Sequence, residues 1–108
     1  NPLTGERALS QGHVRDVVSV MMTCGMYDSA GDWMSEVGIP AKSGVAGSIV
    51  GALPGRAGLA TYSPRLDAHG TSVRGRAAFK RLSDELDLHL LDDPHRQDTL
   101  WHRLSKKK

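Results

Sequence analysis

The sequence predicts a mixed α/β (α+β) fold in which helices cover an antiparallel sheet. Three observations carry that expectation. Two stretches before Pro40 space their apolar residues as helices do, and a third such stretch opens at Ser72. Between them lies a run rich in Val, Ile, Ala and Gly with almost no charge, followed by Pro54-Gly55 and a second short apolar run. The expected order is helix, helix, β-hairpin, helix.

The first helix is expected from Ser10 to Gly25. Val14, Val17, Val18 and Met21 fall on one face, Ser10 can cap the start, and Gly25 can end it. The second is expected from Asp28 to Val37, with Ala30, Trp33, Met34 and Val37 on one side. There Asp28 serves as cap, and Gly38 followed by Pro40 is the stop. Val45 to Leu53 reads as a buried strand, with Leu59 to Tyr62 returning antiparallel to it after the Pro54-Gly55 turn. Gly44, Gly47, Gly51 and Gly58 remove bulk where another backbone or a ligand can approach. Pro64 to Gly70 is a polar loop. A third helix runs from Ser72 to about Leu86, with Phe79, Leu82 and Leu86 on its apolar side. Past Leu91 the text is polar and reads as a linker or tail, with a short helix around Leu100 and Trp101. The domain reading is therefore one unit over residues 1–91 and a tail over 92–108.

A chain of 108 residues suffices for one domain and is too short for two ordinary ones. Its apolar share of 39% and its five aromatic residues make a lean core, as expected of a small domain or of a segment that finishes its packing against other sequence. The net charge of +2 gathers in Lys106, Lys107 and Lys108, which read as a solvated terminal run. Arg and Lys are otherwise scattered, so nucleic acid is not an expected partner. No stretch has the length of a membrane span, and the start Asn-Pro-Leu-Thr-Gly is no signal peptide, so a membrane partner is not expected either. The single cysteine, Cys24, cannot form an internal disulfide. Together these features fit a cytoplasmic protein. The absence of an initial Met suits a fragment or a processed chain.

Several residues invite a chemical reading that their context does not support. Met21, Met22, Met26 and Met34 read as core filler, and Cys24 as a small buried hydrophobe. His89, His95 and His102 have no common zinc spacing. Lys42-Ser43 is not a phosphate loop, because Ala41 precedes the lysine where glycine is required. The acids Asp84, Glu85, Asp87, Asp92 and Asp93 read as a solvated face. Neither a metal nor a cofactor is expected.

Three motifs remain: Cys24-Gly25-Met26-Tyr27-Asp28, Lys42-Ser43-Gly44-Val45 and Tyr62-Ser63-Pro64. They belong to a longer pattern. Asn-Pro-x-Thr-Gly-Glu opens it at Asn1 to Glu6, and Ser-x-Met-x-x-Cys-Gly-Met-Tyr-Asp follows at Ser19 to Asp28. Gly-x-Pro-Ala-Lys-Ser-Gly-Val stands at Gly38 to Val45, Ser-Pro-x-Leu-Asp at Ser63 to Asp67, and Gly-x-Ser at Gly70 to Ser72. In this order and at these separations the chain resembles the serine-dependent glutaminases over about residues 1 to 90. The last eighteen residues match nothing in that pattern.

The resemblance implies the fold of serine β-lactamases and penicillin-binding proteins, of which this chain would be the C-terminal part. It implies hydrolysis of L-glutamine to L-glutamate and ammonia through a serine acyl-enzyme, with no cofactor. Tyr27 would be the catalytic and substrate-pocket tyrosine that helps relay the serine proton. Val45 would offer its main-chain N–H to the substrate carbonyl. Lys42, Ser43 and Gly44 resemble the Lys-Thr/Ser-Gly strand motif and would support the pocket. Lys42 would also favour a substrate carboxylate. Glutamine and glutamate would be the ligands, with the remainder of the catalytic domain as partner and a homo-oligomer as the full-length assembly. The family nucleophile lies in Ser-x-x-Lys. Only Ser105 to Lys108 fits those letters, in the terminal tail, so the nucleophile is expected upstream of this chain and the chain alone is expected to be inactive. The alternative is a catalytically inactive glutaminase-like fragment that acts as a protein-interaction module.

Overall fold

The computed structural model describes residues 1–92 and Leu104. The elements follow in the order α1 (Gln11–Cys24), a 3-10 turn (Tyr27–Ser29), α2 (Ala30–Glu36), β1 (Ala41–Ser43), β2 (Ser48–Leu53), β3 (Ala57–Tyr62) and α3 (Val73–Leu86). The expected α/β class and the helix, helix, hairpin, helix order are therefore observed, with one strand more than expected. The expected helix at Leu100 and Trp101, together with His95, His102 and Lys106 to Lys108, lies outside the described residues.

Side-chain capping explains where two helices begin. Ser10 accepts a hydrogen bond from the His13 N–H at 3.2 Å, and Ser72 accepts one from the Gly75 N–H at 3.0 Å. Each satisfies a donor that the first helical turn would otherwise leave unpaired. Asp28, expected to cap the second helix in the same way, does not; that helix has no side-chain cap, and the Asp28 carboxylate turns to His69 instead.

The strands form one antiparallel sheet in the order β1-β2-β3. Lys42 pairs with Val50 across β1 and β2, and Val50 pairs with Ala60 across β2 and β3. The Pro54-Gly55 turn is closed by the Arg56 N–H donating to the Leu53 carbonyl at 2.9 Å. The expected strand from Val45 to Leu53 is corrected at its start. Gly44 to Gly47 is a tight turn, closed by the Gly47 N–H on the Gly44 carbonyl at 3.0 Å, and Lys42-Ser43 belongs to a strand of its own. The cause is local. Gly47 takes φ +104°, and a Cβ there would lie 2.7 Å from the Ser63 carbonyl oxygen, so this position accepts only glycine.

One face of the sheet is covered. Ala41, Ile49 and Leu53 alternate inward and meet Met26, Trp33, Val37, Phe79 and Leu88 in the core. The Trp33 and Phe79 rings lie 5.4 Å apart and tilted, and the Trp33 indole N–H donates to the Ile39 carbonyl at 2.7 Å. Phe79 occupies the space that Gly51 leaves on β2, where a Cβ would come within 2.7 Å of the ring. Among the described residues no heavy atom from elsewhere lies within 4 Å of the corresponding Cβ position at Gly58, so close approach within them does not explain that glycine.

Two expected core assignments are corrected. The inner side of α3 is Gly75, Phe79 and Ser83, while Leu82 and Leu86 are exposed. Ser83 takes the inner position because its hydroxyl donates to the Val37 carbonyl at 2.6 Å, which meets the polar requirement of a buried site. Helix α1 buries no residue, and Cys24, expected inside, is exposed. Its thiol bonds back to the Val20 carbonyl at 3.2 Å. Of the methionines, Met26 is fully buried and Met34 packs on the core, whereas Met21 lines an open groove. Past α3 the chain stays tied to the core through the Leu90 N–H, which donates to the Gly38 carbonyl at 2.8 Å.

Candidate functional site

Helix α1 ends against the sheet because Gly25 has no side chain. A Cβ there would sit 1.8 Å from the Ala41 carbonyl oxygen. That contact distance leaves room for glycine alone, and it lets the Ser43 N–H donate to the Gly25 carbonyl at 3.0 Å. The helix end and β1 are thereby locked in register, and Tyr27 follows two residues later.

Tyr27 has φ +56°, in the left-handed region that a bulky residue rarely enters. This backbone turn directs the ring toward β1. The phenol donates to the Ser43 carbonyl at 3.4 Å, and the Lys42 ammonium lies 4.4 Å from the ring centroid. The Lys42 ammonium also donates to the Ser43 carbonyl, so one oxygen receives both groups. A phenol bond of 3.4 Å is long for an O–H donor, and the ring is 43% exposed. The hydroxyl is thus only loosely engaged. Ser43 itself is buried; its hydroxyl points back to the Gly25 carbonyl at 3.5 Å, away from solvent.

Val45 stands in the turn after β1, two residues beyond the carbonyl that Tyr27 reaches, and not at the head of a strand as expected. Its side chain is 75% exposed. The Gly44 and Gly47 N–H groups are taken by the Ser48 and Gly44 carbonyls, while the Val45 N–H has no backbone acceptor among the described residues. Among the described residues the Ala46 N–H is also without an acceptor, so the turn leaves two adjacent backbone donors free, the first of them at Val45.

The polar loop Pro64 to Gly70, to which no site role was assigned from the sequence, completes the surroundings. Asp67 Oδ1 accepts from the His69 N–H at 2.8 Å and the Thr71 N–H at 3.1 Å. Partial burial would raise the Asp67 carboxyl pKa. Those two N–H bonds and the positive charges of His69 and Arg76 outweigh it and hold the group below its ordinary value. His69 Nδ1 meets Asp28 Oδ1 at 2.9 Å, and a Cβ at Gly70 would contact the Tyr27 ring at 3.8 Å. In the sequence this loop was marked by its polar composition and by the motifs Ser63 to Asp67 and Gly70 to Ser72, neither of which says what the loop touches.

Beside Lys42 lies an open concavity of about 460 Å3 lined by Asp16, Val17, Val20, Met21, Lys42 and Val50. Among the described residues, no group of His, Cys, Asp and Glu is placed to hold a metal ion, and no helix is long and apolar enough to cross a membrane.

An antiparallel sheet backed by helices, with a tyrosine in a left-handed turn beside the strand Ala41–Ser43, defines a mixed α/β protein whose distinctive groups gather at one sheet edge. Comparison with known proteins narrows this class. The Glutaminase family model matches residues 1–91, and the chain belongs to that family. It is 61% identical over 89 residues to the glutaminase of Clavibacter michiganensis, a match covering 82% of this chain and 27% of that protein. It is 56% identical over 91 residues to the glutaminase of Corynebacterium glutamicum, covering 84% of this chain and 22% of the relative. The chain thus spans about a quarter of the length of these relatives. Among solved structures, that of Mglu in its tris and glutamate form superposes with a TM-score of 0.80 at 59% identity, covering 85% of this chain and 20% of that one. A Bacillus glutaminase gives 0.79 at 32% identity, covering 83% of this chain and 32% of that one.

Proposed function

We propose that this chain supplies one wall of the active site of a glutaminase that hydrolyses L-glutamine to L-glutamate and ammonia. Membership of the family supports the activity, and a relative solved with glutamate supports the ligand. The observation that carries the site is the approach of the loosely held Tyr27 phenol to Ser43, two residues before the unpaired N–H of Val45.

In this reading a serine from a Ser-x-x-Lys motif outside this chain attacks the side-chain amide of glutamine. Tyr27 is the catalytic residue that passes the serine proton toward the leaving ammonia. The Val45 N–H binds the oxyanion as it forms, and a backbone donor in a tight turn loses no orientation when charge develops. Ser43 and Gly44 hold that turn. The Lys42 ammonium, 4.4 Å from the centre of the Tyr27 ring, favours any nearby substrate carboxylate. Water then releases glutamate from the acyl-enzyme. The chemistry draws on side chains and backbone alone.

The remainder of the catalytic domain is the partner of this segment. It would cover the apolar groove at Val17, Val20 and Val50 and pair with the outer edge of β3, which among the described residues has no strand beside it. Residues 1–91 are then the C-terminal segment of the domain and 92–108 a tail. The full-length enzyme is a cytoplasmic homo-oligomer.

Turnover by the full-length protein that contains this chain tests the assignment. Tyr27→Phe should lower kcat for glutamine by about a hundredfold or more while leaving the thermal transition in place. Wild-type turnover from that variant removes Tyr27 from the mechanism.

A further inference from the structure

The geometry points to Asp28 and His69 as a latch that positions Tyr27, an inference that rests on the proton-relay role proposed for that tyrosine. A left-handed tyrosine persists only where its neighbours hold it. On one side Met26 is fully buried, and its carbonyl accepts both the Ser29 N–H at 3.2 Å and the Ser29 hydroxyl at 2.8 Å. On the other side stands Asp28, bonded across 41 positions of sequence to His69 Nδ1 at 2.9 Å. A carboxylate only accepts, so the imidazole donates from Nδ1.

His69 is itself fixed. Its main-chain N–H is held by Asp67, whose own N–H donates to the Thr71 carbonyl at 2.8 Å and whose carbonyl receives the Gly70 N–H at 3.1 Å. This turn places Gly70, at φ +81°, facing the edge of the Tyr27 ring. The loop therefore approaches the tyrosine twice, once through the neighbouring carboxylate and once at Gly70, where even a Cβ would lie 3.8 Å from the ring. Asp28 and His69 are 73% and 51% exposed, so their pair adds little to folding stability. Its consequence is geometric, because a small displacement of a reacting group lowers the rate without unfolding the protein. Asp28 and His69 are positioning residues and do not touch substrate.

A double-mutant cycle in the full-length protein tests the latch. His69→Ala should lower kcat for glutamine about fivefold with KM within about twofold of wild type, and His69→Lys, which restores a donor to Asp28, should recover most of the loss. In a Tyr27→Phe background, His69→Ala should have no further effect, because the positioned group is already gone. Two results overturn the latch: a wild-type kcat for His69→Ala in an enzyme that Tyr27→Phe impairs, or an equal loss in both backgrounds. Failure of the underlying assignment reads differently, as a wild-type kcat for Tyr27→Phe alone.

Discussion

At the scale of single residues, the proposed site depends on one side chain and one peptide group. Tyr27 accepts an unfavourable backbone angle, and its hydroxyl is left loosely bonded at the edge of β1. In the proposed site Val45 contributes its N–H, and its exposed side chain plays no part in that chemistry. Its place as the second residue of the Gly44–Gly47 turn separates the two contributions. Proline is well suited to that position of a turn and carries no N–H. Val45→Pro should therefore preserve folding and lower kcat by about a hundredfold or more, whereas Val45→Ala should stay within about twofold of wild type. Steady-state kinetics on the full-length enzyme decide the matter; equal activity of the two variants would detach the N–H from catalysis.

At the scale of elements, the junction of α1 with β1 sets the distance between these groups. Gly25 lets the helix end touch the strand, and alanine there would overlap the Ala41 and Met21 carbonyl oxygens at 1.8 Å and 2.6 Å. Gly25→Ala should cost about 3 kcal/mol or more of stability in urea unfolding of the full-length protein, since both contacts are backbone and cannot rotate away. An unchanged midpoint would mean that the helix and strand are not locked as described. Local signals made much of this level legible. Ser10, Ser72, Gly25 and Pro54-Gly55 mark element ends by capping and turn chemistry, and they do so in the structure. The start of the hairpin was not legible in this way. Val45 and Ala46 look like strand residues by composition, and only the backbone angle of Gly47 reveals a turn. The inner face of α3 was misread for a related reason: hydrophobic spacing selects Leu82 and Leu86, but the buried hydroxyl of Ser83 finds a carbonyl partner and takes the inside position.

At the scale of the molecule, the core is small and one-sided. Trp33, Phe79, Met26, Ile39 and Ile49 fill the space between α2, α3 and the inner face of the sheet, while α1 buries nothing and exposes Val17 and Val20. The apolar face predicted for α1 from its helical spacing exists as a stripe, but its burial was not legible, because spacing shows that a face is apolar and not what covers it. Of the candidate site, the residues expected at Tyr27 and Lys42 to Val45 do come to one edge of the sheet. The pairing of Asp28 with His69 was hidden, since it joins positions that only the fold brings together.

The most direct measurement is a crystal structure of the full-length protein with glutamate in its active site. We expect one side-chain carboxylate oxygen of the ligand at about 2.7–3.1 Å from the Val45 nitrogen, with the Tyr27 hydroxyl beside the nucleophilic serine. Glutamate bound in the catalytic pocket with Val45 and Tyr27 both out of hydrogen-bond reach would contradict the site proposed here.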